Sequence, residues 1–180
     1  MNIINEINHE TLGKIYCIAD ENWHPWQWIK KESIKIFNIE IKEIIIKFGF
    51  YCFNKLFQCN EICKDDAENI NKEITNSYKE FLKDIKNIEN EFYEAFKRGD
   101  LEEVLDMDIS AEGVNKVEDL YKFIDVKEVR IYNGGYSVIM STTWSEDEIG
   151  IERWDIFSDE SWYNVNLECE IEPVEMDYDD

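Results

Sequence analysis

The chain has 180 residues, 44% hydrophobic and 14% aromatic, with a formal net charge of −22, so one well-packed domain is expected and general disorder is excluded. Only 2 Pro and 7 Gly occur, which excludes collagen-like and low-complexity organisation, and no apolar run approaches the ~20 residues of a bilayer span. The 41 acidic residues against 19 basic ones repel phosphates and anionic lipid, so direct nucleic-acid or membrane binding is disfavoured and a basic protein partner is favoured.

In chain order, residues 12–18 alternate in polarity and predict a strand, followed by a turn through Asp20-Glu21-Asn22 and His24-Pro25. Trp23, Trp26 and Trp28 gather about that turn, either as core packing or as interface anchors. Residues 33–39, where Ile34 and Ile36 alternate with lysine and phenylalanine, and the Ile-rich residues 43–53 predict two more strands.

From Asp65 the period changes. Ile70, Ile74, Tyr78, Phe81, Ile85, Ile88, Phe92 and Phe96 recur at steps of three and four, which predicts a long amphipathic helix. Asp65 or Asp66 is the expected N-cap, Gly99 the C-cap after Lys97 and Arg98, and a break is expected near residues 87–90. A helix packed across a sheet and a dimerising coiled coil both explain the stripe, and the first is preferred.

Residues 101–104 predict a short helical turn and residues 115–124 another helix. Residues 126–132, the turn Asn133-Gly134-Gly135, and residues 136–144, 150–157 and 162–171 predict an antiparallel meander. The expected fold is α+β: an antiparallel sheet with a long amphipathic helix and a shorter helix packed on one face. It forms one domain over residues 1–174 with an acidic tail at 175–180.

Chemical motifs are scarce. Five cysteines (Cys17, Cys52, Cys59, Cys63, Cys169) and a start without a basic and apolar signal region predict a reduced, cytoplasmic protein. Cys52, Cys59 and Cys63 approach helical spacing, but without Cys-x-x-Cys pairs they read as buried thiols rather than a zinc site. Residues 106–110 begin like a calcium loop, yet Ala111 stands where the sharp turn needs Gly and Val117 where a bidentate Glu is needed. No phosphate-binding loop, nucleophile elbow or zinc-protease helix occurs, so the chain is expected to be no enzyme, with no metal and no cofactor.

Charge distribution carries more information. Residues 1–99 hold 17 acids and 14 bases, net −3; residues 100–143 hold 10 and 4, net −6; residues 144–180 hold 14 and 1, net −13. The expected partner-binding residues are therefore Trp144, Glu146, Asp147, Glu148, Glu152, Asp155, Asp159, Glu160 and Trp162, where aromatic groups alternate with carboxylates. Three functions suit this pattern: an inhibitor of a basic toxin or nuclease effector, a phage-encoded anti-defence protein imitating nucleic acid, or a small carboxylate-dependent hydrolase. The first is preferred, as a monomer or homodimer.

Residues 136–151 resemble a strand–turn–strand signature of the form Trp-Asp-x-Glu-His-Gly-hydrophobic, with Trp144, Glu148 and Gly150 matching across one inserted residue. That signature occurs in a family of bacterial domains grouped with the immunity-type proteins of toxin systems. The resemblance spans residues 12–157 and implies a compact α+β protein acting by binding. Ile149 stands in place of the His, so no role of that His carries over.

Overall fold

Strand-forming sequence at both ends of the chain, rich in Ile, Val, Trp and Tyr, closes into one open sheet around a helical middle in the computed structural model, which describes residues 2–19, 27–48, 70, 72–109 and 113–167. The strands are β1 (Asn2–His9), β2 (Gly13–Ala19), β3 (Gln27–Ile36), β4 (Ile39–Phe48), β5 (Ile124–Tyr132), β6 (Gly135–Thr142), β7 (Ile149–Trp154) and β8 (Trp162–Leu167), lying side by side in chain order. All neighbours are antiparallel except β4 and β5, which run parallel. A parallel pair needs a crossover, and the segment between them contains the helices α1 (Lys72–Arg98) and α2 (Asp100–Leu105) and a 3₁₀ turn at Val117–Lys122. Among the described residues the fold is thus mixed α+β, with a mostly antiparallel eight-stranded sheet, one long helix and one short one.

The apolar side chains of the helix and strands form one core. Phe81, Ile88 and Phe92 of α1 are buried together with Trp28, Ile36, Ile46, Phe48, Ile131, Val138 and Met140. Burying each such side chain contributes about 1.5–3 kcal/mol. Edge-on ring pairs join helix to strands: Tyr78 with Phe48 at 5.7 Å and Phe81 with Tyr136 at 5.5 Å. Among the described residues no helix is long and apolar enough to cross a membrane.

Several expectations need correction. β1 has no counterpart in the predicted elements, and β3 begins at Gln27, so Trp28 belongs to a strand and is buried. The strand expected at 33–39 ends at Ile36, because Phe37 (φ 49°) and Asn38 (φ 62°) form a two-residue left-handed turn. Phe37 is an unusual residue there. It is held by tertiary contacts: its N–H donates to Glu89 Oε1 at 2.6 Å and its ring meets Phe92 at 5.5 Å.

The helix has no break at residues 87–90; α1 runs unbroken to Arg98, with Ile88 and Glu89 both buried. Gly99 ends it at φ 85°. The helix expected at 115–124 is a 3₁₀ turn, entered by the Asn115 and Lys116 N–H groups donating to Asp119 Oδ2 at 3.0 and 3.2 Å. Trp23, His24, Trp26, Asp65, Asp66, Cys52, Cys59, Cys63, Cys169 and the tail at 175–180 lie outside the described residues.

Candidate partner-binding face

The acidic loops at the two ends of β7 are positioned by a polar cluster beneath it. Asp84, on the buried side of α1, accepts hydrogen bonds at Oδ2 from the Tyr136 and Tyr163 hydroxyls and from Arg153 Nη1 at 2.6 Å. Asn87 donates to its other oxygen at 2.6 Å. One helical carboxylate thereby fastens β6, β7 and β8 to α1. Burial pushes the Asp84 carboxyl up, but the hydrogen bonds from Tyr136, Tyr163 and Asn87 and the Arg153 charge outweigh it and hold the group below the usual carboxylate range. Both tyrosine hydroxyls are pushed up, first by burial and then by their bonds to Asp84.

Arg153 is the only base in residues 144–180, and this cluster consumes it. Its Nη2 donates to Ser161 Oγ at 3.1 Å and its guanidinium lies 5.2 Å from the Tyr163 ring centre. No cation within this stretch neutralises the exposed carboxylates on either side of β7.

Those carboxylates fall into two groups. Glu146, Asp147 and Glu148 occupy the loop before β7, and Asp155, Asp159 and Glu160 the loop after it. The strand's six residues separate the groups by roughly 17–20 Å. All are exposed except the half-buried Glu148.

Local bonds shape each loop. In the first, Thr142 Oγ1 accepts from the Trp144 and Ser145 N–H groups, both at 3.3 Å, and Ser145 Oγ accepts from Asp147 N–H at 3.0 Å. In the second, Ser158 Oγ accepts from Glu160 N–H at 2.9 Å, and the Ile156 N–H donates to the Gly134 carbonyl at 3.2 Å. Gly134 in turn donates to Ser77 Oγ of α1 at 3.2 Å.

Three of the expected contact residues have other occupations or stand apart. Trp144 is half-buried and stacks between Phe96 at 5.6 Å and Phe123 at 5.3 Å. Glu152 accepts from Trp154 Nε1 at 3.0 Å and from Asn166 Nδ2 at 3.2 Å, beside the Trp154 ring stacked on Tyr132 at 5.2 Å. Trp162 remains 48% exposed, next to the second acidic loop.

The sequence reading missed two contributors. Asp84 falls between Phe81 and Ile85 in the apolar stripe, so a carboxylate on the buried side was its only local signal. α2 packs against β8 and carries the exposed Glu102 and Glu103. Among the described residues no cluster of His, Cys, Asp or Glu has the arrangement of a metal site. Comparison of the chain with family models, curated proteins and solved structures gives no match.

Proposed function

We propose that this protein is a non-enzymatic acidic inhibitor of the immunity type, which binds a basic protein partner and covers its working surface. In this reading α1 and α2 pack on one face of the sheet, leaving the two acidic loops and β8 for the partner. The observation that carries it is the pair of acidic loops held at the two ends of β7, where the one local base is tied to Asp84. Carboxylates in fixed positions steer a cationic partner and fix its orientation.

The test is affinity capture with the immobilised protein from cells that carry its gene, at about 0.1 and 0.5 M salt, where screening lengths differ roughly twofold. Wild type retains a strongly basic protein at low salt and releases it at high salt. The E146K/D147K/E148K variant retains much less of it. Retention of only neutral or acidic proteins, or equal retention by the variant, contradicts the reading. Exclusion of DNA or guide RNA from the captured partner would point instead to nucleic-acid mimicry.

A further inference from the structure

β8 ends the sheet: among the described residues no strand lies on its far side. An open edge presents a row of unpaired backbone donors and acceptors, and natural proteins guard such edges with charge, bulges or proline. The opposite edge follows that rule. β1 carries Glu6, paired with Lys14 at 2.6 Å, and an irregularity in register between Ile3 and Asn5.

β8 carries none of these three guards, although α2 packs against the strand. Its sequence, Trp162-Tyr163-Asn164-Val165-Asn166-Leu167, has no charged residue and no proline, in a chain where 33% of residues are charged. It pairs with β7 in unbroken register over its full length. Trp162 and Leu167 at its two ends are 48% and 41% exposed.

The acidic loops bracket this edge. Asp155, Asp159 and Glu160 lie in the loop that leads through Ser161 into Trp162, while Glu148 adjoins Ile149, the partner of Leu167. We infer that β8 is a strand-addition site: a partner segment pairs with it as a ninth strand, uncharged over about six residues and carrying Lys or Arg at both ends. Main-chain hydrogen bonds supply the grip, and the two acidic groups, roughly 17–20 Å apart, select the spacing of the basic residues. This rests on the proposed cationic partner and adds how that partner is held.

The test uses three end-capped synthetic peptides and calorimetric titration at about 0.1 M salt, where the screening length is ~10 Å. The first is Lys-Arg-Thr-Val-Thr-Val-Thr-Val-Lys-Arg. The second has the same sequence with its six central amides N-methylated, and the third has the same composition with all four basic residues in the middle. The first binds at least about tenfold more tightly than either other peptide, since one loses the backbone donors and the other the spacing. Asn164→Lys, an exposed edge position, weakens the first peptide by about tenfold without altering the fold, as a guarding charge does.

Equal binding of all three peptides overturns strand addition while leaving an electrostatic partner in place. No binding by any of them also overturns it, and the capture experiment then judges the cationic partner separately. Self-association that Asn164→Lys abolishes would give the edge to a second copy and overturn the inference.

Discussion

Asp84 is the residue on which the arrangement of the last three strands turns. Removing it leaves Arg153 without its carboxylate and two tyrosine hydroxyls without an acceptor, so Asp84→Ala is expected to cost about 3–5 kcal/mol in urea unfolding. The pH dependence has a definite sign. The folded-state pKa lies below that of the unfolded chain, near 3.9, so the native state binds fewer protons. The stability this contributes is complete above that unfolded value and is lost as pH falls toward the folded one. Between pH 6 and pH 3 wild type therefore loses more stability than Asp84→Asn, measured by paired urea melts; parallel losses would contradict the assignment. Beyond a carboxylate in the apolar stripe little of this was legible locally, because the sheet partners Tyr136, Arg153 and Tyr163 lie 52 to 79 residues away.

At the scale of elements, close packing beside β7 sets the cost of change. A Cβ added at Gly135 would stand 2.6 Å from the Arg153 carbonyl oxygen and 3.2 Å from the Trp154 ring. Both neighbours are held, the first in the strand and the second by stacking on Tyr132. Gly135→Ala is accordingly expected to destabilise by about 1–3 kcal/mol in a thermal melt.

Trp144 closes the other end of β7, between Phe96 and Phe123. Trp144→Ala should cost about 3 kcal/mol and Trp144→Phe much less, with no change in binding beyond that due to unfolding. Alternation pointed to β2 and the Asn133-Gly134 turn to the meander of β5 to β8, because both signals are local, although β6 itself is buried over six successive residues. Neither could reveal the Phe37-Asn38 turn, where a tertiary bond from Glu89 holds an aromatic residue in a conformation its own chemistry disfavours. The helical period was also legible along α1, whereas the break expected at 87–90 does not occur. Asn87 instead bonds Asp84 within the helix.

Across the whole molecule, the charge run near the carboxyl end reads in one dimension as a single patch, but β7 carries its halves to opposite ends of a strand. The acids of α2 arrive beside β8 only through packing, so their place was not legible from residues 100–108 alone. What joins these groups is the uncharged edge between them. Amide chemical-shift mapping tests this most directly, by titrating isotope-labelled protein with the peptide bearing basic residues at both ends. Shifts are expected to concentrate at residues 146–148 and 155–167, with slowed amide exchange along β8. Shifts spread over the carboxylates of α1 and β1, with β8 unchanged, would contradict this.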